Sequence, residues 1–316
     1  MVPLLPVCHI SSLKFCFPQE YFRTVMDSEN PQIASVKLFV KAGMGDGSSY
    51  GACPLSQRLH MILSLKAKSG ELNYSVYAIS LAKPTEEFKS LGLRHVPAIS
   101  IPQCDVHLDN MDEILEYIDR TFYKVDLSFD NVLAERACKD LFSKFCFFIK
   151  SVSKDAFGLT AELEKLNAYL TQRGSQKGPF LCGKDMTYLD CELLPKLQQI
   201  RVAGREIKGY EIPEKFEGVW NYLKAAYATD VFRDSCPSDE EIILHWMDKT
   251  EIGLTVSKPQ KRRSALINVN EKTHSFNVPS ENLPQEKYEI KEVGKNIQET
   301  LNVPDTPKEN NNVVHL

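Results

Sequence analysis

The stretch Gly51-Ala52-Cys53-Pro54-Leu55-Ser56 decides how the first part of the chain is read. Ahead of it stand a strand-like run, Val36-Lys37-Leu38-Phe39-Val40-Lys41, and a glycine-rich loop from Gly43 to Gly51. Behind it, Leu55, Leu59, Ile62 and Leu63 recur at helical spacing. A proline in the first helical turn costs no hydrogen bond, because N–H groups there have no intrahelical partner. The pattern therefore puts Cys53 at the N-terminus of a helix over 54–68, where free N–H groups favour a thiolate. A bland reading stays open, since cysteine is often a small, buried and inert side chain.

Working outward, Gly70 closes that helix, and Tyr74–Ile79 alternates as a second strand. Pro84–Leu91 reads as a short helix ended by Gly92. A third strand, His95–Ile101, carries Pro97 near its head, where it fits badly in a sheet centre. Val106–Leu108 is a brief fourth strand, and Asp109-Asn110 offers an N-cap for a helix through Ile114 and Ile118. The order β-α-β-α-β-β-α is that of a thioredoxin-like domain over 36–124. In such a domain Pro97 follows a cis peptide bond and faces Cys53.

The next stretch, 125–249, reads as an all-helical domain. Asp130 is expected to cap one helix bearing Leu133, Ala137, Leu141 and Phe145, with Cys138 and Cys146 eight apart on it. Phe157–Leu170 is a second helix. Met186-Thr187-Tyr188-Leu189-Asp190 is a helix start, with Thr187 and Asp190 forming a capping box. Pro213 is expected to open another helix, and Asp239–Met247 the last. The fold class is thus α/β plus all-α. Residues 1–35 read as a disordered lead, not a signal peptide, and 250–316 as a disordered tail.

Composition bounds the function. The 316 residues are 43% hydrophobic and 25% charged, ordinary for a globular protein. A net charge of −4 argues against nucleic-acid binding. Nine cysteines with no Cys-x-x-Cys pair suit a reducing compartment better than a disulfide framework or a zinc site. His60 and His107 have no second ligand at metal-binding spacing, so no metal is expected. Nucleophile-elbow and phosphate-loop motifs are missing. Cys191 and Cys236 read as buried small hydrophobes.

Longer wording carries a resemblance. Lys37-Leu38-Phe39-Val40-Lys41-Ala42-Gly43, then Gly51-x-Cys53-Pro54-x-Ser56-Gln57-Arg58-Leu59, is similar to the chloride intracellular channel family. So are Leu189-Asp190-Cys191-Glu192-Leu193-Leu194-Pro195-Lys196-Leu197 and Ala225-Ala226-Tyr227. Ser235-Cys236-Pro237-x-Asp239-Glu240-Glu241-Ile242 completes the match, which runs from about Ser35 to Lys249.

The resemblance implies a glutathione transferase architecture and a cytoplasmic protein that associates reversibly with membrane lipids. It further implies anion (chloride) channel activity, with oligomerisation on the membrane. It also implies glutathione as cofactor and a glutaredoxin-like activity. Cys53 would then be the redox thiol, beside Pro54, with Lys41 flanking it. Val96-Pro97 would contact the glutathione cysteinyl group, and Asp109 and Asn110 its γ-glutamyl end. A non-catalytic scaffold for trafficking or cytoskeletal partners is the remaining alternative.

Three departures from the family pattern stand out. No second cysteine precedes the proline near Gly92. The spacing from Asp109 to the next helix is one residue longer. The membrane-entry segment, 53–79, holds Arg58, His60, Lys66, Lys68 and Glu71. A charge at mid-bilayer costs about 2.5–3.5 kcal/mol even on the lenient scale, which favours a soluble resting state. The tail's one basic cluster, Lys258–Arg263, with Ser264 beyond it, suits a nuclear signal, a lipid contact or a solvated linker.

Overall fold

Strand β1 (Ala34–Lys41) is central to a four-stranded sheet and is covered on both faces. Val36, Leu38 and Val40 face one way into the main core, whereas Phe39 faces the other. The computed structural model describes residues 33–172, 178–250 and 273–279. The order is β2-β1-β3-β4, with β2 (Leu72–Ile79), β3 (Ala98–Ile101) and β4 (Val106–Leu108). β1 runs parallel to β2 and antiparallel to β3, and β3 is antiparallel to β4.

A parallel neighbour requires a crossover, and helix α1 (Pro54–Ala67) supplies it. Leu59, Ile62 and Leu63 bury its inner side against Val36, Leu38 and Val40. Gly70, at φ +74°, ends the turn beyond it. On the opposite sheet face, helix α2 (Glu86–Ser90) sends Phe88 edge-on to Phe39, 5.4 Å between ring centres. The Val96–Pro97 peptide bond is cis. Helix α3 (Met111–Thr121) then buries Ile114 and Ile118 in the main core. The thioredoxin-like domain read from the sequence is present, with β1 beginning two residues earlier than expected.

The helical half differs from expectation in four places. The expected single helix at 130–145 is two, α4 (Val132–Cys138) and α5 (Leu141–Ile149). Asn131, not Asp130, caps the first: its side-chain oxygen accepts the Ala134 N–H at 3.0 Å. Its amide nitrogen meanwhile donates to Tyr169, which fixes the start by a tertiary contact. Cys138 and Cys146 thus lie on separate helices, and Leu133 faces solvent.

Pro213 opens a turn rather than a helix. Its carbonyl accepts the Phe216 N–H and the Trp220 indole N–H, and helix α8 begins only at Glu217 (Glu217–Tyr227). A short helix, α9 (Asp230–Ser235), was not foreseen; Thr229 caps it. Finally, Thr273–Pro279 is packed on the helical half, with Val278 buried, which corrects the reading of these residues as disordered tail. Residues 1–32, the rest of the tail and its basic cluster lie outside the described residues.

Helix α6 (Phe157–Gln172) and α10 (Asp239–Asp248) complete the set around α7 (Tyr188–Lys208). The capping box is formed as expected. Asp190 Oδ2 accepts the Thr187 N–H and hydroxyl, both at 2.8 Å. Its other oxygen accepts the Leu181 N–H and the Tyr222 hydroxyl, both at 2.9 Å. One buried carboxylate thus joins a loop, a helix start and α8.

Replacing Asp190 with alanine leaves four donors without their acceptor. Each unsatisfied buried donor costs about 1–3 kcal/mol, so we expect a total loss of about 3 kcal/mol or more. Urea unfolding checks it, and a loss below about 1 kcal/mol would contradict the assigned role.

Candidate functional site

Cys53 is the N-cap residue of α1, with Pro54 at the first helical position, as the sequence implies. It is half-buried, neither walled off nor fully open. The loop before it turns back on β1: the Gly51 N–H donates to the Lys41 carbonyl at 2.7 Å. A Cβ on Gly51 would sit 2.3 Å from the Ala42 carbonyl oxygen, so only glycine allows this approach. The Ser56 hydroxyl accepts the Lys41 N–H at 3.2 Å and ties the first turn of α1 to the strand end.

The helical half holds the same loop. The buried carboxylate of Glu241 on α10 accepts the N–H groups of Met44 and Gly45, at 2.6 and 2.8 Å. Gln199 on α7 donates to the Ala52 carbonyl at 3.3 Å and accepts the Trp246 indole N–H at 3.0 Å.

The other predicted residues fall around this edge. Antiparallel pairing sets Phe39 opposite Ala98, so the preceding Pro97 comes to the same sheet end as Lys41 and the start of α1. Asp109 Oδ2 accepts the backbone N–H groups of Arg94 and His95, at 2.8 and 3.0 Å. It therefore fixes the turn leading to Val96-Pro97. Burial opposes its charge, but these hydrogen bonds and His95 outweigh it and hold the carboxyl below its usual range. Asn110 caps α3, its side-chain oxygen accepting the Asp112 and Glu113 N–H groups.

Lys41 meets a residue that sequence reading missed. Its ammonium lies 3.5 Å from Nδ1 of His245 on α10. Burial, then Lys249 and Lys41, pushes His245 down to about 3, so its ring is neutral at pH 7 and Nδ1 can accept. Lys249 is itself pushed down by burial, Lys41 and Lys150, partly offset by the thiols of Cys53 and Cys146. Lys249, at the end of α10, therefore lies within electrostatic range of Cys53. No sequence signal marks Lys249, Glu241 or Gln199 as neighbours of Cys53, because about 150–200 residues separate them.

Cys191 and Cys236 behave as read: both are buried, and burial pushes both thiols up. The seven described cysteines are all free thiols. His60 sits edge-on between Tyr50 and Tyr74, 5.5 Å from each ring centre. His107 pairs with the Ser100 hydroxyl. Among the described residues no cluster of three or more His, Cys, Asp or Glu could hold a metal.

Residues 34–122 match the family described as the CLIC-like N-terminal domain, and 156–225 the glutathione S-transferase C-terminal domain. A Caenorhabditis elegans protein, chloride intracellular channel exl-1, is 37% identical over 244 residues, or 76% of this chain and 98% of the relative. This chain belongs to the chloride intracellular channel family. The crystal structure of the CLIC homologue EXC-4 from C. elegans shares its fold at TM-score 0.69 and 24% identity, covering 82% of this chain and 95% of that one. Chlamydomonas reinhardtii dehydroascorbate reductase has the same fold at TM-score 0.55 and 23% identity, covering 67% and 96%. The glutathione transferase architecture is thus established for this CLIC chain from both its halves.

Burial pushes His60 down to about 4 and His245 to about 3. An unfolded imidazole takes its proton near pH 6.5, so acid favours the unfolded chain between about pH 6.5 and 4. Stability is fully present above that window and falls as pH drops through it, by up to about 1.4 kcal/mol per unit for each histidine. Urea midpoints at pH 7.5 and 4.5 should separate less in His60→Phe than in the wild type. An unchanged separation would contradict the assignment to His60.

Proposed function

We propose that this protein is a reversibly membrane-associating chloride channel protein whose globular form carries a glutathione-reactive thiol at Cys53. The thiol half of this reading is the one the geometry supports best. The observation that carries it is the half-buried Cys53 at the start of α1, at the sheet end that also holds Lys41 and the cis Val96–Pro97 bond.

The chemistry is monothiol exchange. The Cys53 thiolate attacks the glutathione-bearing sulfur of a mixed disulfide, forming a Cys53–glutathione disulfide and releasing the other thiolate. A second glutathione thiolate then attacks that disulfide, yielding oxidised glutathione and free Cys53. The Val96 backbone would hold the cysteinyl group and Pro54 the approach to the sulfur. Asp109 and Asn110, at the start of α3, would receive the γ-glutamyl end, with Lys41 flanking the thiol from the strand end. No metal takes part in this step.

Glutathione-dependent reduction of a small mixed disulfide tests this half. We expect Cys53→Ser to lose at least about 99% of the rate, because the step has no second nucleophile. Equal rates in the two proteins would overturn it.

The channel half rests on family membership and on the name of exl-1. Among the described residues, no helix is long and apolar enough to cross a membrane. Conduction would therefore require a rearranged, lipid-bound oligomer in which 53–79 gives up its present partners. These include Arg58–Glu192 at 3.3 Å and Lys66–Asp119 at 3.0 Å. Recording from planar bilayers after addition of purified protein tests it. We expect anion current that rises on acidification; silence across pH and redox conditions would overturn this half.

A further inference from the structure

Thr273-His274-Ser275-Phe276-Asn277-Val278-Pro279 lies on a face built by α7, α8, α9 and α10, with a tight turn at Ser275 where the Phe276 N–H donates to the His274 carbonyl at 3.0 Å. The receiving face binds three of its carbonyls. Thr273 accepts the Asp239 N–H at 3.0 Å, Ser275 the Gln198 amide at 3.5 Å, and Asn277 the Arg201 guanidinium. Phe276 and Val278 supply the apolar anchors. The Phe276 ring lies 5.0 Å from Tyr227 and 6.0 Å from Phe232, and Val278 is buried. Bound carbonyls together with an aromatic and an aliphatic anchor on one face are how a peptide segment is read by a protein surface.

The receiving face is organised by its own contacts. Arg201 donates to the Tyr227 hydroxyl at 3.0 Å and stacks over the Tyr227 and Trp220 rings. Tyr227 in turn donates to Gln198 at 2.7 Å. The two side chains that hold the peptide carbonyls are thus already aimed by α8. At position 275 the face is acidic: the Ser275 hydroxyl donates to Asp239, and the neighbouring Thr273 hydroxyl to Glu240.

We propose that this face is a peptide-binding site whose resident occupant is the chain's own 273–279 segment, held as a releasable strap. Joined to the same chain, the segment needs only weak intrinsic affinity to stay seated, because intramolecular docking raises its effective concentration. The carboxylates of Asp239 and Glu240 select an uncharged residue at position 275, since an anion there meets like charge in a partly buried seat.

A fluorescent synthetic peptide spanning 270–281, followed by anisotropy, tests the proposal on full-length protein. The wild-type chain blocks its own site; Phe276→Ala and Ser275→Asp open it, the second while keeping the aromatic anchor. We expect the peptide to bind both opened chains at least about tenfold more tightly than it binds the wild type. The same peptide carrying phosphoserine at 275, or alanine at 276, should bind them at least about tenfold more weakly. Failure to bind either opened chain, or equal binding of the phosphoserine peptide, overturns the site. A concentration-dependent dimer of the wild type overturns the assignment of the segment to its own chain.

Discussion

Two backbone N–H groups pointing at a buried carboxylate hold the thiol loop in place. Glu241 accepts from Met44 and Gly45 at hydrogen-bond lengths short enough for charge-assisted bonds. A carboxylate removed from water without such partners is strongly disfavoured, so the loop and the helix stabilise one another's position. The space is full: a Cβ on Gly43 would come within 2.6 Å of Glu241 Oε1. At the far end of the loop, Gly51 lies against the Lys41 and Ala42 carbonyls. Cys53 is therefore positioned from both halves of the chain, not by the local turn alone.

Charges on α1 follow a related logic. Lys66 is almost wholly buried, yet its ammonium reaches Asp119 at 3.0 Å and the Phe122 carbonyl at 2.9 Å. Arg58 reaches Glu192 on α7. Buried pairs add little net stability, but separating one typically costs about 3–5 kcal/mol because a charge is left unmatched. The segment that looks too charged for lipid has its charges matched in the globular form. His60, neutral between two tyrosine rings, adds an element that acid weakens.

The sheet and α1 were legible because local signals agreed: alternation in β1, a proline at the helix start, glycines at both helix ends. The capping box at Thr187 and Asp190 was legible for the same reason. The break between α4 and α5 was not, because Leu133, Ala137, Leu141 and Phe145 keep a four-residue spacing straight across it. What fixes the start of α4 includes a tertiary contact, from the capping Asn131 to Tyr169. Pro213 misled because its carbonyl serves a turn and the Trp220 indole instead of a helix. At the site, the position of Cys53 at a helix start and the cis bond before Pro97 could be read in advance. His245, Lys249 and Glu241 could not, since only the packing of α10 brings them there.

That helix joins the two surfaces of greatest interest. Its first-turn N–H groups have no intrahelical acceptors. Ser238 satisfies the Glu241 N–H, and the Thr273 carbonyl satisfies the Asp239 N–H. The seated strap therefore supplies part of the N-terminal cap of α10. One residue along from the strap's contacts, Glu241 reaches the loop before Cys53; one turn further, His245 meets Lys41. Removing the strap leaves an orphaned donor and a buried Asp239 without its serine partner, a loss of order 1–3 kcal/mol at that helix start. Fraying there loosens Glu241 first, because it sits in the same turn. Occupancy of the peptide face and order in the thiol loop are thus coupled through three consecutive acidic residues, Asp239, Glu240 and Glu241.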